Sequence, residues 1–355
     1  MNIASWVERN GRRLLSFSCN DYLGMTQHPA VKDAAISAIS RYGTGAGASR
    51  LVTGNHPLYE ALETRLARLK GTEAACVFGS GYLANAGVIP VLVGREDLIL
   101  IDALAHASLW AGTRLSRGTV ISFRHNDVGH VEALLAEHRR KHPRALIVTE
   151  GVFSMDGDHA PLDGLSGAAQ RADAGLLVDD AHAIGLLNAG RGSLLSDEAR
   201  GNAVQLGTLS KALGSYGGFV AASRPVIDLI HNRARTVIYA TGLPPASVAA
   251  AIAALDLIAR EPAFAARPLE RARAFTRRAG LPDAQSAIVP VVIGAAEAAM
   301  EASQLLEREG FLAVAIRPPT VPDGTARLRF TFTASHAEAD VTRLAGLVRT
   351  KILKR

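Results

Sequence analysis

Leu176-Leu177-Val178-Asp179-Asp180-Ala181-His182 is a short apolar run that ends abruptly in two carboxylates. Its apolar residues are consecutive rather than alternating, which marks a strand covered on both faces. The same form recurs at Ala75–Phe78, Leu98–Ile101, Val120–Phe123, Ala145–Thr149, Val204–Leu206 and Phe219–Ala221. Helical patterns separate several of these runs. Pro57 opens one, with Leu58, Leu62, Leu66 and Leu69 on one face and Gly71 as its stop. Asp127 is placed to cap another, which runs through Leu134 and Leu135 to about His142. This alternation predicts the α/β class, with a mainly parallel seven-stranded sheet sandwiched by helices.

The pattern changes after Pro245. A long Ala-rich helix leads into a strand over Ala287–Ile293, a helix over Ala295–Glu309, and strands over Leu312–Ile316 and Ala326–Phe332. Ser335 with Glu338 has the spacing of a capping box for a last helix that ends in Lys351–Arg355. The expected organisation is an N-terminal arm over 1–24, a large domain over 25–245 and a smaller C-terminal α+β domain over 246–355.

The bulk composition bounds the function. The chain has 355 residues, 48% of them hydrophobic and 20% charged, which suits a large buried core. Its formal charge is +6, but the basic residues are dispersed. The tightest cluster, Arg139-Arg140-Lys141, falls at a helix end, where cations complement the dipole. No nucleic-acid partner is expected, although a mild preference for anionic small ligands stays open. Cys19 and Cys76 lack a CxxC partner, so neither a disulfide framework nor a zinc site is expected, and both read as buried thiols. The first 13 residues contain no apolar signal core. The stretch Ala246 to Ala259 is broken by Asp256 and is too short to span a bilayer. A cytoplasmic protein with no membrane partner is expected.

Ligands of open α/β sheets bind beyond the carboxyl ends of the strands. The polar residues that directly follow the apolar runs are therefore the candidates. Phe78-Gly79-Ser80-Gly81-Tyr82 is a strand running into a glycine-rich turn and a helix, whose free N–H groups can hold a phosphate. The ordinary alternative is a tight turn, and the third glycine of a dinucleotide site is missing. Asp179 closes its strand where it can pair with a cationic ring nitrogen, and His182 follows at once. A helix N-cap is the structural alternative. In Gly207-Thr208-Leu209-Ser210-Lys211-Ala212-Leu213-Gly214 one lysine is surrounded by small and hydroxyl residues, where it can act as an amine nucleophile. An exposed loop lysine is the commoner case. His106, in Leu104-Ala105-His106-Ala107-Ser108, can stack on a planar ring or be simply structural.

Taken in order, these pieces resemble the fold-type I pyridoxal-phosphate enzymes, and within them the α-oxoamine synthases. The stretches that carry the resemblance are SCNDYLGMTQHP (18–29), GTGAGASRLVTGNH (43–56), HASLWAG (106–112), HNDV (125–128), TEGVFSMDGD (149–158), VDDAHAIG (178–185), GTLSKALGSYGG (207–218) and AIRPPTVPDGTARLRFTFTASH (315–336). They cover nearly the whole chain. The last of them is most similar to the branch that condenses L-alanine with a pimeloyl thioester in biotin biosynthesis.

The resemblance implies that Lys211 holds pyridoxal 5'-phosphate as a Schiff base and later removes the substrate's Cα proton. It implies that Asp179 grips the pyridine nitrogen and keeps it protonated, and that His106 stacks on the ring. Ser80, Gly81 and Tyr82 match the phosphate turn, with Thr208 beside it. Thr241 matches a residue that reaches the phosphate of the neighbouring subunit in a homodimer. His182 and Ser154 match residues around the phenolic oxygen. Asn20 and Arg329 match the groups that handle the amino acid, Arg329 through its carboxylate. No metal ligand is implied. The acyl carrier, CoA or acyl carrier protein, stays open. So do a relative using glycine or serine, such as glycine C-acetyltransferase, a nicotinamide oxidoreductase using the Gly79-Ser80-Gly81 turn, and a binding protein without catalysis. Two departures stand out. The segment before Asn20 is shorter than is usual in such enzymes, and Ala48 replaces a common glycine.

Overall fold

The computed structural model describes residues 5–194 and 196–354. The chain separates into two compact units, 29–153 with 159–260, and 1–28 with 154–158 and 261–355.

The larger unit is built on seven strands, β3 to β9. Two strands precede them in the chain, β1 (Trp6–Arg9) and β2 (Arg12–Ser16). The seven are β3 (Ala74–Phe78), β4 (Leu98–Asp102), β5 (Thr119–Phe123), β6 (Ala145–Glu150), β7 (Gly175–Asp179), β8 (Val204–Thr208) and β9 (Gly218–Ala222). Their order is β3-β9-β8-β7-β6-β4-β5. All pairings from β8 to β5 are parallel, and β9 alone runs against both of its neighbours. Every one of the seven apolar runs is a strand of this sheet. The reason is visible in β4. Ile99 and Ile101 enter one apolar core with Val148, Leu177 and Val220, while Leu98 and Leu100 enter the opposite core with Ile147 and Val178. Successive side chains point to opposite faces, so a strand buried on both sides must be apolar throughout. The helix Pro57–Lys70 has Pro at its start and Gly71 in the left-handed region (φ 67°) as its cap, and Asp127 caps Val128–His138 through its side chain.

The smaller unit has two three-stranded sheets. Its further strands are β10 (Ile288–Gly294), β11 (Phe311–Leu312), β12 (Val314–Ile316) and β13 (Ala326–Thr331), ordered β1-β2-β11 and β10-β13-β12. The single strand expected over Leu312–Ile316 is therefore two. Phe311 and Leu312 pair with Leu15 and Ser16, whereas Val314–Ile316 pair with β13. The break at Ala313 is fixed by Ser303, whose hydroxyl donates to the Ala313 carbonyl. Expectation and structure also differ at the Ala-rich helix. Pro245–Arg260 packs against helices Pro29–Tyr42 and Pro57–Lys70 in the larger unit, burying Ala251 and Ala254 completely. The boundary thus falls after Arg260, and the described part of the arm expected over 1–24 joins the smaller unit together with residues 25–28. Residues 1–4 of that arm and Arg355 lie outside the described residues. The capping box is not formed. Ser335 spends its hydroxyl on Thr333 and Ser5 at 2.9 and 2.6 Å, and the helix Glu338–Leu347 begins after Ala337.

The smaller unit also contains a buried acid-sensitive group. The Thr333 N–H donates to His336 Nδ1, and Nε2 donates to the Ser16 carbonyl, both at 3.0 Å. These partners assign a neutral ring with its proton on Nε2. The ring stacks on Phe17 at 3.9 Å. Burial pushes its pKa down to about 4. Below the ordinary value of 6.5 the unfolded chain takes up a proton that the folded chain refuses. Stability is therefore expected to fall by about 3 kcal/mol as pH drops from near neutrality to about 4. Urea midpoints measured across that window should show the slope, and His336→Leu should flatten it.

Candidate functional site

Four neighbouring parallel strands, β8, β7, β6 and β4, end in Thr208, Asp179, Glu150 and Asp102. Parallel strands put these ends on one edge, so polar chemistry collects there while the sheet behind stays apolar. Asp179 and Glu150 are direct partners across β7 and β6.

Asp179 is 7% exposed. Its Oδ1 accepts from the Ala181 N–H at 2.9 Å and its Oδ2 from Asn85 Nδ2 at 2.6 Å. The same Asn85 nitrogen donates to Ser108 Oγ at 2.8 Å. Ser108 Oγ lies 2.7 Å from His106 Nδ1, and the Ser108 N–H also donates to that nitrogen at 3.2 Å. His106 Nδ1 is thus an acceptor, which leaves the proton of the neutral ring on Nε2. A chain of hydrogen bonds runs from the Asp179 carboxylate through Asn85 and Ser108 to His106. The helices that carry Asn85 and Ser108 approach closely because Gly112 has no side chain, where a Cβ would sit 2.6 Å from the Asn85 carbonyl oxygen.

The charged groups bias one another's protonation. Desolvation lowers the pKa of His106 below its ordinary value, Asp179 opposes this shift, and Lys211 adds to it. Glu150 is 3% exposed and accepts the His106 backbone N–H at 2.7 Å. Burial raises its pKa well above the usual carboxylate range, and the nearby Asp179 pushes the same way against Lys211. Lys211 and Asp179 therefore both sit close enough to His106 and Glu150 to bias their protonation. Lys211 lies in the loop between β8 and β9, with Nζ 2.8 Å from His182 Nε2. The loop is tight. The Leu209 N–H donates to the Gly217 carbonyl at 2.9 Å, and Gly217 has φ 129°, a conformation only glycine adopts freely.

Ser80 caps the helix Gly81–Leu92 by accepting from the Leu83 N–H at 3.1 Å. The first amides of this helix have no intrahelical partner. The turn rests on Gly218, where a Cβ would come within 2.4 Å of the Ser80 carbonyl oxygen, and on Thr208, whose side chain is 3.4 Å from where a Gly81 Cβ would sit. Thr208 Oγ1 donates to the Gly217 carbonyl at 2.9 Å and lies 2.7 Å from Ser210 Oγ. Tyr82 is exposed. Thr241, also exposed, makes an isolated backbone bridge with Ser49. Ala48 does not occupy the left-handed region, so its methyl costs the GTGAGAS loop nothing there.

In the smaller unit the structure gathers Asn20, Ser154 and Arg329. Arg329 Nε donates to the Ser154 carbonyl, and its two terminal nitrogens each lie 3.4 Å from Asn20 Oδ1. The Tyr22 hydroxyl donates to the same oxygen at 3.2 Å. Burial pushes the Tyr22 pKa up to about 12, against the opposing pull of Arg329.

Sequence reasoning passed over Asn85, Ser108 and Glu150. Glu150 carried a signal, since it is the polar residue at a strand end. Ser108 carried none beyond lying in the matched stretch 106–112, and Asn85, outside every matched stretch, carried none at all. It also read the cysteines too simply. Cys19 is only partly buried. Cys76 comes with Glu63 and His231 into a group whose ligand atoms lie within 4.8 Å of one another. Both Glu63 oxygens are already held by Arg50, at 2.5 and 3.1 Å, so this group reads as an ion pair beside a thiol and an imidazole.

An amine, a carboxylate at a strand end, an imidazole linked to that carboxylate through Asn85 and Ser108, and a helix start suited to an anion together fit pyridoxal phosphate. The comparisons with known proteins agree. The model of aminotransferase class I and II matches residues 12–348. An 8-amino-7-oxononanoate synthase of Methylocella silvestris is 62% identical over 343 residues, 97% of this chain and 98% of that protein. One from Beijerinckia indica is 60% identical, covering 97% and 89%. Among solved structures, serine palmitoyltransferase from S. paucimobilis with a bound PLP–myriocin aldimine superposes with a TM-score of 0.93 at 31% identity, covering 98% of this chain and 89% of that one. The 8-amino-7-oxononanoate synthase of Francisella tularensis superposes at 0.81 with 25% identity, covering 96% and 98%.

Proposed function

The chain belongs to the class I and II aminotransferase family and, within it, to the 8-amino-7-oxononanoate synthases, and from that premise we propose the reaction and the part each residue takes. The protein is a pyridoxal-phosphate-dependent acyltransferase of biotin biosynthesis. It condenses L-alanine with a pimeloyl thioester to give 8-amino-7-oxononanoate, carbon dioxide and free thiol. The observation that carries this reading is the 62% identity along nearly the full length of both chains. The serine palmitoyltransferases share the fold at about half that identity.

When bound, pyridoxal phosphate supplies the electron sink that stabilises a carbanion at the alanine Cα. Lys211 holds the aldehyde end, and its freed amine is the base for the Cα proton. His182, 2.8 Å from that amine, takes or returns a proton at Nζ. Asp179, fixed by Asn85 and the Ala181 N–H, fastens the ring-nitrogen end. His106, set by Ser108 and by Glu150 at its backbone, would stack on the ring. The amides of Gly81 and Tyr82, with Ser80 and Thr208, take the phosphate. Ser154 would serve the phenolic oxygen.

Arg329, with Asn20, takes the alanine carboxylate. Arg329→Lys keeps the charge but loses the planar fork. The KM for alanine should rise about 10- to 100-fold, with cofactor affinity unchanged. An unchanged KM removes Arg329 from substrate binding.

We also propose a homodimer. Leu51, Val52 and Tyr239 are 65%, 73% and 72% exposed and flank the Ser49–Thr241 bridge, and in this reading Thr241 reaches the neighbouring subunit's phosphate. A sedimentation mass of one chain overturns this. The reaction and two unpaired thiols suit the cytoplasm, which cell fractionation tests, and no helix among the described residues is long and apolar enough to cross a membrane. The whole assignment is tested by incubating the protein with L-alanine and pimeloyl-CoA or pimeloyl-acyl carrier protein. A product with the mass of 8-amino-7-oxononanoate is expected. Product only with glycine or serine overturns it.

A further inference from the structure

Asp180, the second carboxylate of the Asp179-Asp180 pair, has no part in the chemistry above, yet every polar group it owns is used. Its N–H donates to the Leu206 carbonyl at 2.9 Å, and its carbonyl accepts from the Ala183 and Ile184 N–H groups, each at 2.9 Å. Its Oδ2 meets Lys70 Nζ at 2.5 Å, and Ser193 donates to the carboxylate from its N–H, at 3.1 Å to Oδ2, and from its hydroxyl to Oδ1. Lys70 also donates to the Arg191 carbonyl at 2.7 Å. The side chains of this ion pair are 0% and 1% exposed. Nothing larger than hydrogen fits around it. A Cβ on Gly192 would lie 2.0 Å from Asp180 Oδ2 and 2.5 Å from Lys70 Nζ, and one on Gly151 would lie 2.2 Å from Asp180 Oδ1.

We infer that Lys70 and Asp180 are a buried positioning pair for the reaction: they pin the end of β7 from behind, so that Asp179 on one side and His182 two residues on are held at fixed places. The inference rests on the proposed reaction. The pair acts through its neighbours in the chain. A buried ion pair is an expensive way to stabilise a fold, since matched neutral side chains do as well. Its use here follows from the need to anchor one carboxylate without borrowing the other. With Asp180 satisfied by Lys70 and Ser193, the Asp179 carboxylate is left to the cofactor.

The test separates holding the fold from holding the site. Lys70→Met alone strands a buried carboxylate and is uninformative if it unfolds. The double variant Lys70→Met/Asp180→Asn removes both charges and keeps an amide for Ser193. Thermal unfolding of the apoprotein, pyridoxal-phosphate affinity, the pH midpoint of the bound cofactor's absorption band and kcat are compared with wild type. A near-native unfolding temperature is expected, together with weaker cofactor binding, a pH midpoint moved by about half a unit or more, and a kcat lower by about a hundredfold. Ser193→Ala, which leaves the ion pair intact, should move the same quantities in the same sense by less. A folded double variant with wild-type affinity, midpoint and kcat overturns the inference. So does an unfolded double variant accompanied by an unaltered Ser193→Ala protein. If wild type itself binds no cofactor, the proposed reaction has failed, and that result is read before any variant.

Discussion

Lys211→Ala is expected to lose covalent capture of pyridoxal phosphate altogether and to lower kcat by at least ~10⁴-fold, the upper range for removing a general base. Wild-type protein treated with borohydride should gain the mass of the reduced cofactor on the peptide containing Lys211, and the variant should not. Cofactor can still enter the variant, because the Asn85–Asp179, Ser108–His106 and Leu83–Ser80 hydrogen bonds remain without the Lys211 side chain. The expected protein is folded, binds cofactor without a covalent link and is inert. Lys211 is half-buried in a loop whose backbone bonds involve Leu209, Gly214, Ser215 and Gly217, so truncating its side chain leaves the loop intact. A variant that still turned over at the wild-type rate would end the assignment.

Asp179→Asn is the second decisive change. The amide matches the carboxylate in shape and can keep the bond from the Ala181 N–H, so the substitution removes the charge and one acceptor. Its own NH₂ then faces either that N–H or Asn85 Nδ2, now 2.6 Å from Asp179 Oδ2, so one existing bond must break or turn. We expect cofactor affinity to weaken and kcat to drop about a thousandfold, the scale for removing one preorganised electrostatic partner from a desolvated site. The bound cofactor's absorption should lose the form with a protonated ring. Wild-type turnover in this variant would show that the ring nitrogen is held elsewhere.

The seven strands of the large sheet were legible because burial on both faces leaves a local mark, an unbroken apolar run. Asp179 was legible because it directly follows such a run, whereas Thr208, one residue beyond Gly207, was reached through the resemblance. Asn85 was not, because it lies inside an otherwise small and apolar helix face and its significance comes from a carboxylate 94 positions away. Lys70 was less legible still. It closes an amphipathic helix, where a lysine ordinarily offsets the helix dipole in water, and its partner is 110 positions distant. Long-range pairing also split the strand expected over Leu312–Ile316, since β2 claims the residues before Ala313 and β13 those after it. The Ser335–Glu338 spacing was a true local signal that lost to competition, because Thr333 and Ser5 occupy the hydroxyl.

β2 finds its parallel partner only in Phe311 and Leu312. During synthesis the opening hairpin must therefore leave the ribosome and wait for roughly 300 further residues, on the order of half a minute at ordinary elongation rates. The apolar side chains of Leu14, Leu15 and Phe17, all buried in the finished protein, stand uncovered for that interval. The larger unit, complete by Arg260, can fold in the meantime. A nascent chain stalled before Phe311 would then be a native-like body trailing an unpaired strand, and it is at this stage that a holdase chaperone should bind the polypeptide.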